Sequence, residues 1–553
     1  MSPRDDTHHK EDTLMKTPYT KIRGSLNLSA AVLTFLSAAL LSACGGGGGG
    51  NGNNTDTTDV SSGSRTNTAR AAQSVFIRAS ETGRPLLFSV ADDGGTQPVT
   101  LASSNLFSAI GQFVLSPDKR YLAFIADGSL YIVKGDGSGL MRLSQLNNAA
   151  GKVTDFEWSP DGSSLVYLAD GEVTDRYELY QVKSDGSDRD EKRRISGSLG
   201  SKTTLDIAEP QWSPDGRYVA YLVEDAGRAI GLNTHDTTST DPRDSVRVSN
   251  PTAFASWQDI AGYGNVGYLW SPDSHYLAYR SDVLKDKLYE IFTVHPDGSE
   301  LRRANSATAG IVYIDAYAWS PDSRYLAETI RDMLNSAYVG LNTWDVQDSS
   351  GVPSRRIASA SHFNGFAWAH HAAKLAFVDD HEATGIYELF VHDPQTASIV
   401  KVNHGGPSGD LIKEFNWSPD DGFLGYDTLS GIYLAVSGSS DPSQALYTYD
   451  LGESIFGHWV WSPNDQQVGY WVNNASGGSG ADQKLNLYIS ETAAPANTFL
   501  ALGPRPITTE IPVMQWSDDS KVLVTKIDSA IYGLTGVMDY SLSASYRPLG
   551  FVY

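Results

Sequence analysis

The sequence of 553 residues contains one cysteine, Cys44, so it can form neither an intrachain disulfide nor a cysteine-based zinc site. Basic residues are also scarce: 42 Lys and Arg stand against 65 Asp and Glu, and the formal net charge is −23. Such a charge repels phosphate groups and anionic lipids. The composition therefore argues against nucleic acid as a partner.

Motifs that mark common enzyme classes are missing as well. The chain has no Gly-x-Ser-x-Gly nucleophile elbow, no Walker loop and no His-Glu-x-x-His zinc motif. These absences favour a non-catalytic role, and they give no reason to expect a cofactor.

The N-terminal segment has the layout of a secretory signal peptide. A basic region with Lys16, Lys21 and Arg23 precedes an apolar run from Leu26 to Leu41. The run is short and diluted by Ser and Ala, so a cleaved signal is a better interpretation than a permanent transmembrane helix.

The residues Leu-Ser-Ala-Cys at 41–44 close this run and resemble the lipobox of bacterial lipoproteins. The resemblance implies that 1–43 is removed and that Cys44 is lipidated. Residues 44–73 are rich in Gly, Asn, Ser and Thr without hydrophobic periodicity, which predicts a flexible tether. Because Gly45 follows the cysteine, the resemblance implies an exported outer-membrane protein, periplasmic or surface-facing, held to the membrane through its lipid only.

The rest of the chain, 74–553, repeats one unit marked by a Trp followed by Ser-Pro-Asp. The copies are 43 to 58 residues apart, and some are degenerate. In each copy we predict a strand A that ends at the Trp, a tight Pro-Asp-Gly turn, and three further strands, B, C and D. The nine marker positions are Leu115, Trp158, Trp212, Trp270, Trp319, Trp368, Trp417, Trp461 and Trp516.

A large or apolar residue stands two positions before every marker. Residues i and i−2 of a strand share one face, so each pair should form a buried stripe that packs against the next unit. The nine partners are Phe113, Phe156, Pro210, Tyr268, Tyr317, Phe366, Phe415, Trp459 and Met514.

A four-stranded antiparallel unit repeated without helices is typical of a β-propeller blade. The motifs resemble the β-propeller repeats of the TolB family over 115–553, and 75–102 resembles strands B, C and D of one more blade. We therefore predict an all-β propeller of about 8–10 four-stranded antiparallel blades. The α/β domain of TolB has no counterpart in 45–74, so the resemblance implies architecture and compartment and does not extend to TolB's partners.

Aspartates recur where strand B ends. The fold places these ends, with the B–C loops, on one face, and we hypothesise an acidic face that attracts a basic partner. Alternatively, each aspartate caps its own turn through a side-chain hydrogen bond. The residues are Asp127, Asp170, Asp225, Asp282, Asp332, Asp380, Asp427 and Asp528.

The longest excursion on that face, 249–267, contains Trp257 and Tyr263 outside the repeat pattern. Aromatic residues in a long loop are candidate contact residues for a partner. The alternative is that the segment folds back over the channel or a blade.

Six of the 12 histidines lie within 362–404, which raises the possibility of a metal site. His370 and His371 fall in a degenerate marker turn, and His392 falls at a C–D turn on the same face. A shared metal would need their ring nitrogens within ~4–5 Å of one another. The other three fall on the opposite face, a strand length of about 17–20 Å away, so we predict no metal. These three are His362, His381 and His404.

Together these features predict a lipid-anchored, non-catalytic β-propeller of the bacterial envelope that binds a protein or glycan partner. Two alternatives stay open. One is a propeller lyase or hydrolase of polysaccharide with a metal at a channel mouth, which requires converging His, Asp and Glu side chains. The other is a structural subunit of an envelope assembly.

Overall fold

A computed structural model gives the fold of this protein. Every regular element in the part it describes is a β-strand, apart from two 3-10 helices, η1 (Arg189–Glu191) and η2 (Pro242–Asp244). The described residues are 73–79, 85–91, 99–102, 106–197, 205–225, 228–249, 267–281, 290–304, 312–332, 338–348, 355–358, 365–379, 387–403, 411–450, 452–455, 457, 459–474, 484–495, 498–506, 513–516, 520, 522–527, 530–535 and 546–548.

The strands form ten antiparallel sheets, which we number as blades 1 to 10 in chain order: seven have four strands, two have three and one has five. Blade 1 contains β1 (Gln73–Ala79), β2 (Pro85–Ala91) and β3 (Val99–Ala102); blade 2 contains β4 (Ile110–Leu115), β5 (Tyr121–Ala126), β6 (Ser129–Lys134) and β7 (Met141–Arg142); blade 3 contains β8 (Val153–Trp158), β9 (Ser164–Val173) and β10 (Arg176–Lys183); blade 4 contains β11 (Leu205–Trp212), β12 (Tyr218–Asp225), β13 (Arg228–Asp236) and β14 (Val246–Arg247); blade 5 contains β15 (Tyr268–Trp270), β16 (Leu277–Ser281), β17 (Glu290–Val294) and β18 (Arg302–Arg303).

The second half of the chain continues in the same order. Blade 6 contains β19 (Val312–Trp319), β20 (Tyr325–Asp332), β21 (Tyr338–Asp345) and β22 (Arg355–Ala358); blade 7 contains β23 (Phe366–Trp368), β24 (Leu375–Asp379), β25 (Glu388–Asp393) and β26 (Ser398–Lys401); blade 8 contains β27 (Glu414–Trp417), β28 (Phe423–Asp427), β29 (Gly431–Val436) and β30 (Gln444–Thr448); blade 9 contains β31 (Glu453–Ile455), β32 (Val460–Trp461), β33 (Gln467–Asn474), β34 (Lys484–Glu491) and β35 (Thr498–Pro506); blade 10 contains β36 (Val513–Trp516), β37 (Val522–Ile527), β38 (Ala530–Thr535) and β39 (Tyr546–Pro548).

This architecture confirms the predicted all-β propeller, and its ten sheets fall within the expected blade number. Strand A ends at the marker tryptophan in blades 3 to 10, as the repeat predicts; in blade 9 it is split into β31 and β32. Among the described residues, blade 1 has three strands paired in the order β1-β2-β3, at the position predicted for strands B, C and D of one more blade. Residues 1–72, with the predicted signal peptide, Cys44 and almost all of the predicted tether, lie outside the described ranges.

The marker turn is held by its own serine and aspartate. In blade 4, the Ser213 hydroxyl donates to Asp215 at 2.5 Å and accepts the backbone N–H of Tyr218 at 2.9 Å. The Asp215 carboxylate also accepts the N–H of Arg217 at 3.0 Å. The backbone N–H of Asp215 in turn donates to the Ser274 hydroxyl of blade 5 at 2.9 Å, so successive turns are tied together.

Successive blades are joined by the indole of each marker tryptophan, which donates a hydrogen bond to the preceding blade. The acceptor in seven junctions is the backbone carbonyl of the residue just before that blade's own marker. The pairs are Trp158 with Val114 (3.1 Å), Trp212 with Glu157 (3.4 Å), Trp270 with Gln211 (3.3 Å), Trp319 with Leu269 (3.3 Å), Trp368 with Ala318 (3.0 Å), Trp417 with Ala367 (3.0 Å) and Trp516 with Val460 (3.2 Å).

The aromatic stripe is part of the core, as predicted, but it packs against the preceding blade and not the next one. Trp158 and Phe156 of blade 3 lie in a buried cluster with Leu130, Ile132 and Leu143 of blade 2. The physical reason is the direction of the indole N–H, which reaches back to the carbonyl of the earlier strand A. Strand pairing fixes which residues share a face, but it leaves open which neighbour that face meets.

The junction between blades 8 and 9 differs from the other seven. The side-chain oxygen of Asn416 accepts two indole N–H groups, from Trp459 at 2.6 Å and from Trp461 at 2.7 Å. Both rings lie against Gly425, where an added Cβ would come within 3.1 Å of Trp461 and 3.2 Å of Trp459. One amide thus replaces the backbone acceptor and serves both tryptophans.

We expect the substitution Asn416→Ala to lower the free energy of unfolding by about 2–4 kcal/mol, because it strands two largely buried indole N–H groups. Chemical denaturation followed by tryptophan fluorescence measures the change. Gln211→Ala is the matched control, since Gln211 is the equivalent residue of blade 4 and accepts from Trp270 through its main-chain carbonyl. Equal losses in the two variants would contradict the role given to the Asn416 amide.

Candidate functional site

Asp127, at the end of strand B of blade 2, fixes the segment that enters strand A of the same blade. Its carboxylate accepts the N–H of Ala109 at 2.9 Å and the N–H of Ser108 at 3.0 Å. The residue itself is exposed, so its charge remains on the B–C face while its oxygens hold the backbone.

Asp170, the equivalent residue of blade 3, is 3% exposed. It accepts the N–H of Lys152, just before strand A of this blade, and the N–H of Asp175 in its own B–C hairpin at 3.0 Å. The contact with Asp175 is the turn cap that the sequence analysis offered as an alternative. The contact with Lys152 joins strand B to the segment before strand A, which the sequence pattern did not indicate.

Asp427 of blade 8 is also buried, at 1% exposure. The Tyr449 hydroxyl donates to it at 2.6 Å, and the Lys413 ammonium lies 3.6 Å from its carboxylate. Burial raises the pKa of Asp427, and the Tyr449 hydrogen bond and Lys413 oppose that shift. Three aspartates of the series thus have structural partners next to strand A.

The remaining predicted residues of this face are less fully described. Asp225 ends β12 and is half-buried, and Asp332 ends β20. The others lie outside the described residues, so their binding role stays a prediction; they are Asp282, Asp380, Asp528, Trp257 and Tyr263.

The B–C face also presents residues that the sequence analysis did not single out. The hairpin between β9 and β10 carries the exposed acids Glu172 and Asp175 beside Val173, which is 41% exposed. In blade 8 the B–C turn presents Leu429 at 61% exposure. Apolar side chains beside carboxylates suit contact with a partner that is both basic and apolar. No motif in the sequence marks this hairpin, because the ten-residue length of β9 is known only from the structure.

On the opposite face, His370 and His371 form the degenerate marker turn of blade 7, with ring centroids 6.4 Å apart. The Asp421 carboxylate of blade 8 accepts three successive N–H groups from this turn: His370 at 2.6 Å, His371 at 2.8 Å and Ala372 at 2.9 Å. Asp421 thus holds the backbone of a turn that lacks the Ser and Asp of the other copies, through N–H groups that precede the ones those residues cap.

His392 has a different environment from those two histidines. It is fully buried near the end of strand C, with Nδ1 3.0 Å from the Ser398 carbonyl and Nε2 3.5 Å from the Thr343 hydroxyl of blade 6. Across the described parts of the chain, no three His, Cys, Asp or Glu side chains come together in a way that could hold a metal ion. His370, His371 and His392 are among the residues searched, so the structure does not assemble them into a site.

The marker turns of blades 7 to 9 bring three carboxylates together beside His371. Asp465 accepts the N–H of Asp420 at 3.1 Å. Burial, followed by the nearby charges of Asp420 and Asp421, raises the pKa of Asp465 to about 6, although the Asp420 hydrogen bond and His371 oppose the shift. Asp421 and Asp465 both occupy the marker +4 position, with φ of 63° and 59°, where a turn residue faces the preceding blade.

A carboxyl group between blades 3 and 4 is perturbed in the same direction. Burial raises the pKa of Glu157 to about 8, and the N–H of Trp212, which donates to it at 3.2 Å, opposes the shift. Because Glu157 lies on strand A between two blades and serves Trp212, its perturbation follows from blade packing and does not require a catalytic role.

No protein-family model matches the chain. Among solved structures, it is similar to a eukaryotic initiation factor (13% identity, 84% of this chain and 94% of that chain, TM-score 0.46). It is also similar to a putative TolB from Agrobacterium tumefaciens (16% identity, 55% and 83%, TM-score 0.26) and to an oligogalacturonate lyase in complex with manganese (13% identity, 67% and 99%, TM-score 0.32). These similarities do not bear on function. No helix in the described ranges has the length and apolar character needed to cross a membrane.

The substitution Asp465→Asn keeps the oxygen that accepts from Asp420 and removes the charge. Because the pKa of Asp465 is raised in the folded state, its ionised carboxylate destabilises the fold at high pH. This destabilisation is lost as pH falls from about 6 towards about 3.9 and the carboxyl becomes protonated. We therefore expect the variant to be more stable than the wild type at pH 8, by less than about 1 kcal/mol, and equally stable at pH 4. Thermal unfolding at both pH values measures this difference.

The control is Asp441→Asn, which removes an exposed carboxylate from the C–D connection of blade 8. It makes the same change in net charge without the neighbours of Asp465. An equal gain in stability for Asp465→Asn at pH 4 and at pH 8 would contradict charge repulsion of Asp465 by Asp420 and Asp421.

Proposed function

We propose that this protein is a lipid-anchored, non-catalytic β-propeller of the bacterial envelope that binds a protein or glycan partner on its B–C face. The observation that carries the proposal is the juxtaposition on one hairpin tip of the exposed acids Glu172 and Asp175 with the exposed apolar Val173. Asp127 adds a carboxylate at the same level of the neighbouring blade.

The fold supports a role as a rigid platform. The tip of blade 3 rises from two long paired strands, and the Glu172 carboxylate accepts the Asn147 amide at 2.8 Å. Lys192, in the C–D connection of the same blade, donates to the same Asn147 side chain at 2.6 Å, so the tip is braced by the connection that precedes the blade. A surface that is ordered before binding loses little conformational entropy when a partner docks.

The negative charge of this protein suits a basic partner. The chain carries −23 overall, and an acidic surface accelerates the encounter with a basic partner at low salt. The lipobox-like Leu-Ser-Ala-Cys at 41–44 supports attachment of the propeller to a membrane by a lipid on Cys44, with the segment after it as tether.

The partner test compares two double variants of blade 3, on opposite faces, that each raise the net charge by three. Glu172→Lys with Asp175→Asn alters the B–C tip, and Asn is well tolerated at the positive φ of Asp175, 59°. We expect this variant to recover the partner at least about tenfold less well in affinity capture from solubilised envelope, measured by quantitative mass spectrometry.

Asp190→Asn with Glu191→Lys is the matched control in η1, in the C–D connection on the other face, where the Asp190 side chain is 83% exposed. It should capture the partner as the wild type does. Equal loss in both variants would assign the effect to net charge, and turnover of a sugar polymer with no captured partner would overturn the proposal.

The anchoring test is Cys44→Ser. We expect the wild type to incorporate an alkyne-labelled fatty acid and to fractionate with the outer membrane of a Gram-negative host, and the variant to lose the label and leave the membrane fraction. Gly45→Asp is the control that keeps the thiol. By resemblance to lipoproteins, this variant should retain the label but no longer fractionate with the outer membrane. Labelling of Cys44→Ser would refute lipidation at this residue.

A further inference from the structure

Blade 1 differs from the other blades at its inner edge. In blades 2 to 10, strand B pairs with strand A on one side and with strand C on the other. In blade 1 the strand B is β1, and within the described part of the chain every residue from Gln73 to Ala79 is paired with β2 and with no second strand. The other edge of β1 presents the backbone N–H and C=O groups that a strand A would take.

The strand A of blade 2, β4, faces the same position. At later junctions strand A of one blade lies beside strand A of the preceding blade, as the indole hydrogen bonds show. Blade 2 packs on blade 1 through a buried cluster that contains Leu87 and Leu101, and Phe113 and Leu115 of β4 lie partly buried against it. We call the position inside β1 and beside β4 the inner slot.

The marker residue of blade 2 suits a junction without a built-in strand A. It is Leu115, whereas the other eight markers are tryptophans whose indoles all donate to the preceding blade. A leucine has no such donor. Blade 7 also has a half-buried pair, Phe366 and Trp368, but there Trp368 is tied to the Ala318 carbonyl of blade 6. The missing indole, and not partial burial, therefore distinguishes the first junction.

The residues just upstream of β1 do not carry the strand A pattern. In the other nine blades the marker stands six or seven residues before the first residue of strand B. Counted back from Gln73, this spacing falls on Thr66 or Asn67, and the partner position falls on Ser64 or Arg65. All four are polar, whereas the markers and partners of the other blades are large or apolar. The chemistry of the inner slot therefore favours a strand from another molecule.

The direction of such a strand follows from the ladder. Strand A is antiparallel to strand B in the blades that have both, so a strand in the inner slot runs antiparallel to β1 and enters from the B–C face. The exposed Asp127 lies on that face, where its carboxylate holds Ala109 just ahead of β4. With the net charge of −23, this carboxylate attracts basic residues that precede the incoming strand.

We infer that the inner slot accepts an extended segment of a partner protein, which pairs with β1 as the strand A of blade 1. Alternate side chains of this segment are apolar and lie against Phe113 and Leu115, and basic residues precede them near Asp127. The main-chain ladder supplies affinity, and the alternation supplies specificity. The inference rests on the proposed function and deepens it, because it makes the partner a protein.

The test titrates the full-length chain in detergent into the fluorescein-labelled peptide Lys-Lys-Thr-Val-Thr-Leu-Thr and follows fluorescence anisotropy. The control peptide, Lys-Lys-Pro-Val-Pro-Leu-Pro, keeps the charge and the apolar residues, but its prolines cannot donate to a ladder. We expect saturable binding of the first peptide and at least about tenfold weaker binding of the second. Absence of saturable binding, or equal affinity for the two peptides, would overturn the inference.

The variant Leu115→Trp locates the inner slot through a gain of binding. A tryptophan at this marker can donate to a carbonyl of the bound strand, as the other markers do, so we expect about two- to tenfold tighter binding of the first peptide. Val436→Trp is the matched control, because Val436 is 42% exposed on strand C of blade 8 and adds an indole away from the inner slot. Equal gains in the two variants, or no gain in Leu115→Trp, would refute the location.

Two further outcomes separate this inference from its neighbours. A higher melting temperature of Leu115→Trp without peptide binding would mean that the chain itself fills the inner slot, which overturns the inference. Capture of an envelope partner that depends on Glu172 and Asp175, with no peptide binding, would remove this inference and leave the proposed function standing.

Discussion

The indole hydrogen bond between successive blades is the contact on which the structure depends. A marker tryptophan can make it only if its own strand A lies beside the preceding one at a fixed height, because the acceptor is the carbonyl just before the earlier marker. Each such bond contributes about 0.5–1.5 kcal/mol, which is modest alone. An indole hydrogen bond recurs at every junction from blade 2 to blade 10, with the Asn416 side chain as the acceptor between blades 8 and 9. Together these bonds fix the register of neighbouring sheets while the aromatic stripe excludes water.

That register has consequences at both ends of the blades. On the side of the marker turns, it brings the +4 residue of one blade onto the turn of the preceding blade, as Ser274 does for Asp215. In blade 7, which lacks the Ser and Asp of the marker turn, the +4 residue of blade 8, Asp421, accepts three successive N–H groups of the turn. The geometry of the turns therefore brings the carboxylates of Asp420, Asp421 and Asp465 close together. Their proximity contributes to the raised pKa of Asp465.

At the other end, the aspartates that follow strand B hold the chain as it enters strand A. The sequence pattern suggested either a partner surface or a cap for each B–C turn. Asp127 and Asp427 stand at the end of strand B, whereas Asp170 lies inside β9. The contacts of Asp127 and Asp427 reach connections that lie about twenty residues away in the chain, which a local pattern does not reveal. The partner surface that we propose uses instead the exposed tip of blade 3, at Glu172 and Asp175.

Tryptophan spacing and period-two alternation are local properties, so the repeat sufficed to predict the strands, their order within a blade and the aromatic core. The same pattern predicted that the Trp158 and Phe156 stripe is interior, but in contact with the wrong neighbour. That direction and the double role of Asn416 become visible only in the folded protein. Both depend on which residues of two separate blades come into contact, and this contact follows from packing across the junction and not from the order of residues along one strand.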